Sequence, residues 1–196
     1  MILEILILLF DFGISIWNAY ASGYNIGMLK KQGSYSDLMM AGSYAGLGLA
    51  FAGMTYVVAY VLAYFGYYMG YVSYSTYIFT ASLDFLVFGL MIIGFGLVVT
   101  IQSIAVAIKK RSLGSIFIAL YNTAAEIFDI AMYAESFKSS VAAVNGNREG
   151  ERSGTEILIV AVLISFIIVH AAYKHGLAKS GYVQSRGIKD LYGESI

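Results

Sequence analysis

Near the start of the chain Glu4, Asp11, Asn18 and Asn25 recur every seven residues, and Ser15 and Ser22 fill the steps between them. Seven residues is nearly two helical turns, so all six groups fall on one narrow stripe, opposite a face of Ile, Leu and Phe. A second run repeats the pattern, with Ser115, Asn122, Glu126, Asp129, Tyr133 and Ser136 at steps of seven, four, three, four and three. Rows of carboxylates, amides and hydroxyls can hold a proton or a cation and pass it along. In a low dielectric, neighbouring carboxylates cannot all be ionised, so they share a proton or bind a cation. Asp11, Glu126 and Asp129 are therefore the candidate carboxylate site, with Asn18 and Asn122 as candidate members of the same path. His170 is a candidate relay, because its neutral and charged forms lie close in energy. The competing reading is structural, with polar groups holding helices in register. That reading suits the amides and serines; the acidic trio favours function. Glu4 and Glu135 read as solvated groups near an interface.

The elements that position these rows follow from composition. The chain has 196 residues, 59% hydrophobic and only 12% charged, with 21 glycines and neither proline nor cysteine. No charged residue occurs between Asp37 and Asp84, whereas about 20 apolar residues suffice to cross a bilayer. This is the composition of an integral membrane protein. It excludes a soluble enzyme, a nucleic-acid binder and a disordered tail. The lack of cysteine removes disulfides, zinc–thiolate sites, iron–sulfur clusters and cysteine nucleophiles.

Apolar runs bounded by charge predict an all-α bundle of five transmembrane helices over roughly 2–29, 38–68, 77–108, 113–141 and 156–178, forming one domain over 1–178, followed by a short cytoplasmic tail over 179–196. The charge rule gives the orientation. With the N-terminus outside, the cytoplasmic segments carry Lys30, Lys31, Lys109, Lys110, Arg111, Lys174, Lys179, Arg186 and Lys189. The outer side then holds Lys138, Arg148 and Arg152, and every loop alternates as positive-inside requires. The first run is read as a span rather than a cleaved signal, since Glu4 is its only early charge and Asp11 interrupts its core. The fourth is read as spanning rather than surface-lying, because Lys138 alone would serve its polar face. At 1.5 Å per residue, Asp11 and Asp129 lie roughly 10–12 Å below the outer surface and Glu126 roughly 15 Å. Asn18, Asn122 and His170 come out near ~20 Å, which predicts a carboxylate layer above an amide-and-imidazole layer. The two polar stripes are expected to face each other or a shared aqueous cavity.

Other features concern packing. Gly42, Gly46 and Gly53 make a small-residue face on the second helix, and Ser82, Gly89, Gly96, Thr100, Ser103 and Ala107 make one on the third. Tyr56, Tyr60, Tyr64, Tyr67 and Tyr71 form a stripe that reads as an interface belt, or as a contact for a partner subunit or lipid. The segment from Asn145 to Gly154 reads as a flexible, solvated connector. No cofactor or metal is expected. The two histidines, His170 and His175, share one helix and cannot clamp a haem from opposite sides. No His-Glu-x-x-His or Gly-x-Ser-x-Gly motif occurs, so there is no catalytic assignment and an enzyme ranks third. The first expectation is a small cation- or proton-conducting channel or transporter of the cell membrane, surrounded by lipid and assembled as a homo-oligomer. The alternative is a non-catalytic subunit of a larger membrane complex.

Overall fold

A computed structural model describes residues 2–33 and 36–182; the side chain of Glu4 and the tail beyond Tyr182, with Arg186 and Lys189, lie outside the described part. Five long helices account for nearly all of it: α1 (Ile2–Gln32), α2 (Asp37–Tyr68), α3 (Tyr74–Lys110), α4 (Leu113–Gly146) and α5 (Glu151–Lys179). No strand occurs among the described residues. All five are long and apolar enough to cross a membrane, so this is a multi-pass membrane protein. The helices extend beyond the charge-bounded windows by up to five residues at an end, because serine caps and glycine turns set their ends.

Serines start three of the helices. Ser36, Ser73 and Ser112 each adopt an extended backbone and accept a hydrogen bond from the amide three residues on. At the end of α2, Gly70 takes a positive φ of 76°. The Gly70 amide donates to the Tyr67 carbonyl, and that of Tyr71 to Gly66, a Schellman closure. Tyr71 thus lies beyond the helix, in the turn, and the stripe expected to run from Tyr56 to Tyr71 ends within α2. The α3–α4 reversal takes only Arg111 and Ser112. Arg111 is left-handed (φ 50°), with its amide on the Ala107 carbonyl at 2.9 Å.

The expected flexible connector after α4 is instead built into the fold. Arg148–Gly150 forms one 3-10 turn, and Gly150 is buried against the Ser75–Thr76 backbone. The Ser75 hydroxyl donates to the Asn147 carbonyl at 3.3 Å, and Asn147 Nδ2 donates to the Ala143 carbonyl at 2.8 Å. The run of small polar residues that suggested mobility here allows close approach.

Packing centres on α2, which meets α1, α3 and α5 and is the most buried helix. Lipid is as apolar as leucine, so close fit and polar contacts, rather than water exclusion, hold such helices together. Ala19, Ala50, Met54 and Val169 form the core where α1, α2 and α5 converge. The α1–α5 crossing is the tightest. A side chain on Gly23 would strike the Tyr173 backbone, and one on Gly176 the Tyr20 backbone. By contrast α4 packs on α3 alone, and only Ala119 and Glu126 of it are buried.

Candidate functional site

The polar stripe of α4 lies on the small-residue stripe of α3. Glu126 is only 5% exposed, and its Oε2 occupies the space that a Cβ on Gly96 would need. Its Oε1 has no hydrogen-bond partner. One helical turn to one side and two to the other, the same register repeats. The Thr100 hydroxyl donates to the Asn122 carbonyl at 3.3 Å, while Tyr133 lies over Gly89 and stacks on Phe85 at 5.2 Å. The Tyr133 hydroxyl donates to the Leu86 carbonyl at 2.9 Å. Glycine at positions 89 and 96 therefore lets an aromatic ring and a carboxyl group lie flat against the α3 backbone.

On the other side, the serines of the α1 stripe are buried against the glycines of α2. Ser22 Oγ would lie 2.7 Å from a Cβ on Gly46, and Ser15 Oγ 2.8 Å from one on Gly53. Gly42 receives the Gln102 side chain of α3, whose Nε2 donates to the Met39 carbonyl at 3.2 Å. Asp11 and Asn18, half-buried, occupy the same stripe.

The helices α1 and α4 do not pack on each other, yet Asn25 from one stripe and Ser115 and Asn122 from the other line one cavity. Asp129 is close enough to Asp11 for the two charges to interact, and to Glu126 likewise. The cavity, of about 490 Å³, lies at the end bearing Lys109–Arg111. Its polar lining includes Asn25, Ser43, Gln102, Lys110, Ser115 and Asn122, drawn from α1, α2, α3 and α4. The amides that line this cavity are Asn25, Gln32, Gln102 and Asn122; Asn18 is not among the lining residues. His170 is elsewhere: it is exposed on α5, its ring stacked on Phe166 at 5.6 Å, and α5 does not pack on α4.

One residue of the acidic row was not singled out from the sequence. Asp84 of α3 is 1% exposed, and neither carboxyl oxygen has a hydrogen-bond partner. It lies about 15 Å along the helix from Tyr74. Tyr56 of α2 is within electrostatic reach of both Asp84 and Asp11, and so joins the two. The available signal was the row Thr76, Thr80, Asp84, Phe88, one face of a helix at steps of four. Reading Asp84 as the edge of an uncharged stretch hid it.

Beyond Tyr56, the tyrosines gather at the opposite end of the bundle. Tyr77 packs against Tyr60 at 6.3 Å, Tyr64 at 6.2 Å and Tyr67 at 5.6 Å. Tyr67 and Tyr71 are 42% and 82% exposed. Polar groups thus recur along the bundle, from the tyrosine cluster and Asp84 past Asp11, Asp129 and Glu126 to the amide-lined cavity. Among the described residues no three His, Asp or Glu side chains converge as metal ligands, and the ion pair that is formed, Arg152–Glu156, is exposed. No family model, curated protein or solved structure matches this chain.

Proposed function

We propose that this multi-pass protein resides in the cell membrane and conducts protons or small cations through the acidic seam between α1 and α4. The observation that carries the reading is that carboxyl groups from two helices that do not pack together, Asp11 on one and Asp129 with Glu126 on the other, lie within electrostatic reach of one another. Ionisable groups within a span cost about 2.5–3.5 kcal/mol each on insertion scales, and a purely structural role does not need several in one row. With the N-terminus outside, the cavity beside Lys110 opens to the cytoplasm. The gap between α1 and α4, flanked by an α4 anchored only on α3, supports assembly as a homo-oligomer in which a second copy completes the wall.

Purified protein in liposomes is expected to pass a proton or cation current that Asp11→Asn and Glu126→Gln each reduce. An absence of flux at every pH and voltage overturns the proposal.

A second reading, a non-catalytic subunit of a larger membrane complex, is favoured by the exposed ring surface at the tyrosine end, where Tyr68, Tyr71 and Tyr74 are 77%, 82% and 60% exposed. Purification from the native membrane in mild detergent with mass spectrometry decides between them. Recovery alone, or with copies of itself, rejects the second reading.

A further inference from the structure

Resting on the conducting path just described, we propose that the species it carries is the proton and that Asp84 is the proton-binding station nearest the tyrosine end. Three observations lead there. The first is the state of Asp84 itself. Both oxygens are without a hydrogen-bond partner in a group that is 1% exposed. An ionised carboxylate so placed is an uncompensated charge in low dielectric, a cost the neutral acid avoids by keeping its proton.

The second concerns the surroundings. The buried face of α5, packed on α3, carries Gly154, Ala161, Ser165 and Val169 and no ionisable group. From α2 the titratable neighbour is Tyr56, with Asp11 of α1 beyond it. On α4, Glu126 and Tyr133 lie against Gly96 and Gly89, with Asp129 on the helical turn between them. Lys31, Lys109, Lys110, Arg111, Lys138, Arg148, Arg152, Lys174 and Lys179 are all exposed, and half-buried Lys30, at the far end of α1, sits over the Tyr182 ring. The titratable group within electrostatic reach of Asp84 is therefore the Tyr56 phenol, itself within reach of Asp11 and Tyr77, and no cation is buried beside it.

The third is spacing. Glu126 lies opposite Gly96, twelve residues beyond Asp84 on α3, so the two ends of the row are about 18 Å apart along the helix. Asp11 and Asp129 are coupled to each other within the same seam. A dehydrated metal cation needs several oxygens converging at one level to replace its lost water. Asp84 stands apart from Asp11, Asp129 and Glu126 with no other polar atom within hydrogen-bond distance of its carboxyl, which suits a proton rather than a metal ion at that station. In each proton transfer the O–H bond of one carboxylic acid breaks as an O–H bond forms on the next acceptor, and the donor becomes the carboxylate. Between Asp84 and Asp11 the Tyr56 hydroxyl is the group able to accept one proton while its own O–H donates another. Since it makes no hydrogen bond to Asp84 at rest, transfer requires the side chains to close up or a water between them.

The test uses the full chain in liposomes containing a pH-sensitive dye, with a potassium gradient and valinomycin setting the potential. Wild type is expected to change the interior pH. Asp84→Asn, which cannot carry the proton, is expected to lose about 10²-fold of that flux, the low end of what removing a positioned proton donor costs. Asp84→Glu keeps an ionisable carboxyl and is expected to retain most of it. Infrared spectra supply a second readout independent of transport: wild type should show the carbonyl band of a buried, protonated carboxylic acid, shifted in heavy water and missing in Asp84→Asn. Equal proton flux in wild type and Asp84→Asn, or identical carbonyl bands, overturns the assignment of Asp84. Sodium or potassium flux without proton flux overturns the choice of the proton alone, while wild-type vesicles passing neither overturn the conducting path as well.

Discussion

Replacing Gly23 by alanine tests the tightest crossing in the bundle. A Cβ there would collide with the Tyr173 carbonyl oxygen and lie 2.9 Å from its carbonyl carbon and 3.1 Å from the Leu177 nitrogen. Ordinary contact begins at 3.4 Å, so α5 must withdraw by about half an ångström at the carbon and by more at the oxygen. All three atoms are backbone, and no side-chain rotation clears them. Overpacking of this kind costs about 1–3 kcal/mol. The reference is Gly13→Ala, on the same helix, where nothing lies within 4 Å of the new methyl. Both changes gain the same helix propensity, up to about 1 kcal/mol, so their difference isolates the clash. Gly23→Ala should be less stable than Gly13→Ala by roughly 5- to 150-fold in the folding equilibrium. Equilibrium unfolding in mixed micelles with rising SDS, followed by circular dichroism, measures it. Equal midpoints for the two variants would refute the close α1–α5 approach. Gly176→Ala meets the Tyr20 and Tyr24 backbone from the other side. Because it opens the same crossing, the double variant should lose less than the sum of the two.

The seam offers further checks. Gly96→Ala intrudes on the far end of the Glu126 side chain, which can move aside; conduction should fall while stability changes by less than about 1 kcal/mol, and Gly94→Ala, with open space around it, should leave conduction unchanged and gain only helix propensity. Liposome flux and SDS unfolding on the same preparations separate the two effects. Tyr133→Phe removes the 2.9 Å bond to the Leu86 carbonyl but keeps the ring over Gly89. It should destabilise by about 0.6 kcal/mol, the average for interhelical hydrogen bonds in a membrane, as read in the same unfolding assay.

The elements were legible because the spans are long apolar runs, most of them ended by charge and the α2–α3 pair divided by an uncharged Tyr- and Gly-containing turn, and because serine caps are local. The seven-residue spacing also placed Asp11, Glu126 and Asp129 on stripes, and amides from both stripes do line one cavity. What spacing alone does not carry is the identity of a partner many residues away. Gly23 and Gly176 are separated by almost the whole chain, and nothing near either one marks the crossing they make. Asp84 was obscured for a different reason: it fell inside the expected third span but was read as the end of a long uncharged run, and only the packed structure shows it buried without a partner. Tyr71 shows the reverse failure: its spacing continued a helical pattern, but Gly70 had already ended the helix.

The pairing of α1 with α5 also sets a schedule for biogenesis. During synthesis α1 enters the membrane first of the five, but its glycine face at Gly23 and Gly27 finds its cover only when α5, the last, has been made. Until then the nascent chain holds an unfilled notch among lipids. Quality-control machinery that recognises exposed small-residue faces would have a window as long as the translation of α2, α3 and α4, and any chain interrupted before α5 would remain marked for removal.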